Sequence, residues 1–216
     1  AKDFEPTALM GLIAYALVVN PSVPAQSVAD LAALAKAKPG QINCASAGYG
    51  TVPHLACETF NKLAGVNVVH VPFHDVNSAM LGVVGNQVQM FVAVSTVAKA
   101  QIAAGTVRGL AVTTAQRSAL LPQLPTFAES GFPAFVMPGW GGLMAPAGTP
   151  KPIVDKINAD VARALQDPDV AKKLLAVGME PPPPMTAAAF GAFIRDDIAR
   201  WTAQVDAVGL EKLRPQ

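Results

Sequence analysis

A chain of 216 residues that is 51% hydrophobic and 14% charged can bury a real core, which excludes a disordered tail. Its formal net charge of +1, with Lys and Arg scattered along the chain, excludes the basic surplus that tracks a phosphate backbone, so nucleic acid is not an expected partner. The longest apolar runs, such as Ala8 to Val19, are too short to cross a bilayer, so a soluble chain is expected, any export leader having been removed.

Elements alternate from residue 9 to residue 112. The run Tyr15 to Val19 predicts a first strand, and Ser27 the N-cap of a helix with Val28, Leu31, Leu34 and Ala35 on one face, ended by Pro39 and Gly40. Ile42 to Ala45 predicts the next strand, Thr51 to Leu63 a helix, Val66 to Val71 a strand and Asp75 to Val84 a helix. Val88 to Val94 reads as a strand, Thr96 to Ala104 as a helix closed by Gly105, and Val107 to Val112 as a strand. This order predicts an α/β fold over residues 1–135, an open, parallel-rich sheet with crossover helices.

Beyond Thr113 the chain turns to proline-punctuated connections, "LLPQLPTFAESGFPAF", and a strand-like stretch from Trp140 to Met144. Helices follow at Pro152 to Leu165, Val170 to Val177 and Ala187 to Val208, the last with Phe190, Phe193, Ile194, Ile198, Trp201 and Val205 on one stripe. "EPPPP" between the latter two is a stiff extended linker. Residues 136–216 thus hold helices with almost no strands to receive them, so their sheet is expected to be much reduced, or supplied from outside the chain.

In an open α/β sheet ligands sit at the carboxyl ends of strands, and "SAGYGT", residues 46–51, stands at such a place. Gly48 and Gly50 let the backbone turn tightly, and the helix start that follows offers unpaired N–H groups and a partial positive charge. Such a site suits an anion without an arginine. It is not a P-loop, which needs a Lys-Ser/Thr pair, nor a dinucleotide fingerprint, which needs a third glycine. A plain strand-to-helix turn is the bland alternative.

"PFHDVNSAM", residues 72–80, stands at a second junction of the same kind, where Asp75 reads either as an N-cap or as a ligand contact. His54, His70 and His74, with Cys44 and Cys57, invite a metal reading, which the strand position of His70 and the intervening Pro72 weaken. A nucleophile elbow is absent, "CASAG" being the nearest approach, and Ser46 could be activated by a histidine only through a contact made in the fold. The two cysteines permit one disulfide, left open by spacing alone.

Several longer stretches carry a resemblance: "VVNPSVPAQSVADLAALAKAKPGQINCASAGYGTVPHLACETF", "VVHVPF", "GLAVTTAQRSALLPQLPTFAESG", "GWGGLMAPAGTP" and "FIRDDIARW". Together they resemble the tripartite tricarboxylate transporter substrate-binding proteins, the TctC or Bug family, in consistent order over nearly the whole chain. The resemblance implies a type II periplasmic binding protein without a cofactor, which closes over a small organic acid and delivers it to a membrane permease. It places ligand contacts at Ser46, Ala47, Gly48, Tyr49, Gly50 and Thr51, with His54 at the family's histidine. Phe73, His74 and Asp75 fall where the family usually has Tyr-Lys-Gly, and Ser95 and Thr96 fall in a further ligand-facing loop.

Family members begin with a strand and a "PFxxGG" loop of a first domain, to which nothing before Asp3 and Phe4 corresponds. The resemblance therefore implies a chain lacking that N-terminal part, with the second domain incomplete, binding impaired and an apolar face able to drive homo-oligomer formation. A small hydrolase using Ser46 or His54, and an oligomeric interaction module without a ligand, are the competing expectations.

Overall fold

The computed structural model describes residues 3–209, and within them Phe4–Ile13, a stretch given no element above, forms the first strand, β1. After the single residue Ala14 comes β2, Tyr15–Val19. Helix α1, Val28–Ala37, is capped as expected, the Ser27 hydroxyl accepting from the Asp30 amide at 3.1 Å. Then follow β3 (Asn43–Ser46), α2 (Val52–Ala64), β4 (Val69–Pro72), α3 (Val76–Val84), β5 (Met90–Val94), α4 (Ser95–Ala103) and β6 (Arg108–Val112). The chain continues through β7 (Gly139–Pro146), α5 (Lys151–Ala164), α6 (Pro168–Ala176), β8 (Met179–Glu180) and α7 (Ala187–Val208).

These elements group into two units. One comprises residues 14–138, with the end of α7 from Gln204, and holds a five-stranded sheet in the order β4-β3-β5-β2-β6. β3 is parallel to β4 and β5, while β2 is antiparallel to β5 and β6, so β2 alone opposes the other four. Strands β2 and β5 are buried almost throughout, which is why they read as uninterrupted apolar runs. Val18, Ala45, Phe91 and Ala93 pack from the sheet against Met80, Val83 and Leu121 in one core. The topology brings the carboxyl ends of β4, β3 and β5, neighbours in that order, to one edge of the sheet.

The other unit comprises the N-terminal residues to Ile13 and residues 139–203. An expected domain of residues 1–135 would put β1 with the five-stranded sheet. Instead β1 pairs antiparallel with β7 along its length, from Phe4 opposite Pro146 to Ile13 opposite Gly139, and its last two residues pair with β8. Backbone pairing of eight of its ten residues outweighs proximity in sequence to β2. The reduced sheet expected for the C-terminal helices is this one, of three strands.

Its motifs have local causes. A side chain at Gly142 would collide with the Phe190 ring, which closes on the sheet there and is fully buried. Asp197 accepts from the indole nitrogens of Trp140 at 2.9 Å and Trp201 at 3.1 Å and pairs with Arg200, which explains the polar residues inside "FIRDDIARW". Asn158 donates to the carbonyls of Thr7 and Met185, tying α5 to β1 and to the proline segment. Ile198, placed on the apolar stripe, is 52% exposed.

Candidate functional site

The loop between β3 and α2 is shaped by its glycines. Gly48 and Gly50 have φ of 110° and 76°, and an added Cβ at Gly48 would meet nothing within 4 Å, so backbone conformation and not space requires glycine there. Thr51 is the N-cap of α2 without a side-chain cap bond, its hydroxyl being turned to the Gly48 carbonyl at 2.8 Å, and Pro53 follows in the first turn. The loop leaves Tyr49 66% exposed.

Two of its amides are already engaged. Gly48 N–H donates to Ser46 Oγ at 3.1 Å, and Gly50 N–H donates to His54 Nδ1 at 3.0 Å. Among the described residues the N–H groups of Tyr49, Thr51 and Val52 have no protein partner. The helix start therefore keeps donors for an acceptor from outside, at Tyr49, Thr51 and Val52 and not at the glycines.

His70 joins this cluster, a residue weighed above only as a metal ligand. It lies opposite Cys44 in the β3–β4 register, on the same face as Cys44 and Ser46, and its Nε2 is 2.6 Å from Ser46 Oγ. His54 and His70 stack with ring centroids 4.0 Å apart at 27°, and Tyr49 stands edge-on to both, at 5.3 and 5.2 Å. Burial lowers the His54 imidazole below its ordinary range, Glu58 opposing it, and burial followed by the neighbouring His54 lowers His70 to about 4. The two histidines thus contact Ser46, Gly50 and each other, and among the described residues no group of three or more His, Cys, Asp or Glu is placed to hold a metal.

The remaining expected residues divide. Phe73 has its amide bonded to the Ser46 carbonyl at 2.8 Å, and its ring packs over Gly82 at the margin of the core. Asp75 caps α3 in a capping box, accepting from the Ser78 amide at 2.7 Å while its own amide donates to Ser78 Oγ. Its carboxyl, lowered by the Ser78 backbone bond, is an anion, and it pairs with the exposed His74 at 3.7 Å. Ser95, the first residue of α4 directly after β5, is fully buried, with its amide bonded to the Ala14 carbonyl and its hydroxyl without a partner among the described residues. Thr96 follows at the start of α4, which has no side-chain cap.

Cys44 and Cys57, left open by their spacing, form a disulfide that ties β3 to α2 behind the loop, both sulfurs fully buried. A serine 2.6 Å from an imidazole is also the beginning of a nucleophilic pair, but Ser46 is wholly inaccessible, and its hydroxyl already serves Gly48. In the other unit a groove of about 860 Å³ is lined by residues of α5 and α7. Its charges balance, Lys151 and Arg195 against Glu5 and Asp155, so it has no net attraction for an acid.

The profile of the family described as "Tripartite tricarboxylate transporter family receptor" matches residues 1–210. The chain belongs to this family. Proteins similar to it include Protein BugT of Bordetella pertussis, 31% identical over 211 residues, 96% of this chain and 64% of that protein. Rpa4515 of R. palustris, solved with adipate, superimposes with a TM-score of 0.84 at 31% identity, covering 96% of this chain and 69% of that one. MatC from Rhodopseudomonas palustris, solved with bound malate, gives 0.78 at 31% identity over 94% and 69% of the two chains. The periplasmic binding protein BugD gives 0.81 at 31% identity over 97% and 70%. The family is one of solute-binding receptors with periplasmic members, and the chain spans 54% and 64% of the length of the first two curated relatives it matches.

Proposed function

We propose that this chain captures a small organic acid as a periplasmic solute-binding protein and presents it to the membrane permease of a tripartite transporter. The observation that carries this reading is the loop at residues 46–51: a helix start with unpartnered amides at Tyr49, Thr51 and Val52, at the carboxyl edge of the sheet, free of lysine and arginine. Donors of that kind favour a carboxylate by about 0.3 to 1 kcal/mol per helix start, so one loop binds weakly and further contacts must add to it. Ser95 and Thr96, which open α4 directly after β5, the strand beside β3, are one such source within the same unit.

Adipate and malate, bound by two of the similar proteins, set the ligand class to test first. The disulfide fits an oxidising compartment such as the periplasm. A thermal-shift series with mono- and dicarboxylates tests the proposal: a specific binder raises the melting temperature with ligand concentration, and Tyr49→Pro together with Thr51→Pro, which removes two of the donors, abolishes the rise. A flat response across all acids at millimolar concentration overturns it.

A further inference from the structure

The loop itself carries no lysine or arginine. Lys62 is the only lysine or arginine between residues 41 and 98, and it lies eight residues beyond His54, about two helical turns along α2. What stands at the loop instead is the stacked imidazole pair. Because Gly50 N–H donates to His54 Nδ1 at 3.0 Å, that nitrogen carries no proton and the ring holds its own on Nε2. His54 thus occupies the acceptor position that a ligand oxygen would otherwise take.

One proton inverts this arrangement. Added at His54 Nδ1, it turns the acceptor into a donor and leaves that N–H facing the Gly50 N–H, both in need of an acceptor. A carboxylate oxygen accepts from both. We propose that carboxylate capture at this loop takes up one proton on the His54–His70 pair, so that the anion is held beside a single imidazolium. The inference deepens the carboxylate reading and rests on it. The proton comes from water, and no bond of the ligand is made or broken.

The surrounding groups allow one proton and not two. The rings lie 4.0 Å apart, so a charge on either opposes a second on the other. Glu58, on α2 one turn beyond His54, favours the proton. Tyr49 presents its ring edge to both imidazoles, β3 contributes Ser46 and the disulfide, and at the start of α3 Asp75 and His74 pair with each other. Burial keeps both rings neutral at pH 7, and a bound anion would offset that cost.

The test uses the full chain with adipate as probe. Calorimetric titration near neutral pH, in two buffers of different ionisation heat, should report up to about one proton taken up per adipate, with Kd falling by up to about tenfold per pH unit from about pH 8 to 6.5. The histidine Cε1–H resonances should titrate at higher pH with adipate present, a readout that needs no variant. His54→Gln, which keeps hydrogen-bonding groups but removes the titrating nitrogen that faces Gly50, should bind with a Kd less dependent on pH and with less proton uptake than the native chain. Adipate binding without proton uptake, or unshifted histidine titrations at saturation, overturns the inference and leaves the carboxylate reading standing. No binding of adipate or malate at any pH overturns that reading, and this inference with it.

Discussion

Ser46 and His70, twenty-four residues apart, meet at 2.6 Å between neighbouring parallel strands, and the same serine hydroxyl accepts from the Gly48 amide. One buried oxygen therefore joins β3, β4 and the first turn of the loop. Ser46→Ala leaves a backbone N–H and an imidazole nitrogen unsatisfied, which costs about 1 to 3 kcal/mol. Urea unfolding should show a lower midpoint with an unchanged slope.

Acid should weaken the fold before the carboxylates titrate. Both imidazoles bind protons less readily when folded, His70 titrating at about 4 against an ordinary 6.5. Between those values the unfolded chain holds more protons at His70, so its contribution is complete above pH 6.5 and is lost as pH falls toward 4, and the His54 contribution is lost in the same direction. The depressed carboxyls of Asp75, Glu129 and Asp160 lose theirs only lower, below their ordinary 3.8 to 4.5. The urea midpoint at about pH 5 should lie below that at about pH 7.5, and His70→Phe should narrow the gap; equal midpoints in the native chain contradict this account.

Opening the disulfide should destabilise the loop-bearing unit by about 3 kcal/mol, the value for a short closed segment. Cys44→Ser with Cys57→Ser should lower the melting temperature by several degrees. Because both sulfurs are fully buried, reductant added to the folded chain should act slowly until urea is present. Thiol labelling over time distinguishes the two conditions.

Gly48→Ala tests the loop's shape without altering its chemistry. At a φ of 110° an alanine is strained although nothing crowds it, and a cost of about 1 to 2 kcal/mol follows. The loop can relieve this by shifting, which moves Tyr49 and Thr51. Both the melting temperature and the response to adipate should fall.

Much of this was legible from residue pattern. Ser27, Asp75 and the run Val28, Leu31 and Ala35 announce caps and buried faces because helix starts and stripes are local properties. The strand Phe4–Ile13 was not, because Pro6 and Gly11 interrupt its alternation and its pairing with β7 is irregular between Pro6 and Ala8 and between Leu9 and Gly11. The reversed direction of β2 is set by its neighbours β5 and β6, which no window around Tyr15–Val19 contains.

The loop 46–51 could be found from its glycines and from the missing lysine. The part played by His70 could not, since it depends on the β3–β4 register; the alternation of Cys44 and Ser46 with His70 opposite Cys44 becomes informative only once that pairing is known. Asp75 and Phe73 also have local roles, the N-cap being one of the two readings that the position of Asp75 allows. Both lie beside the site in sequence, yet capping and core packing account for their contacts.

The bond between Cys44 and Cys57 also decides what a protease can do to this molecule. Tyr49 and Gly50 stand out as a cleavable tip, but a cut there releases nothing: the two pieces stay joined through sulfur, migrate as one band without thiol, and separate only after reduction. A nicked receptor would keep both sides of its binding turn tethered.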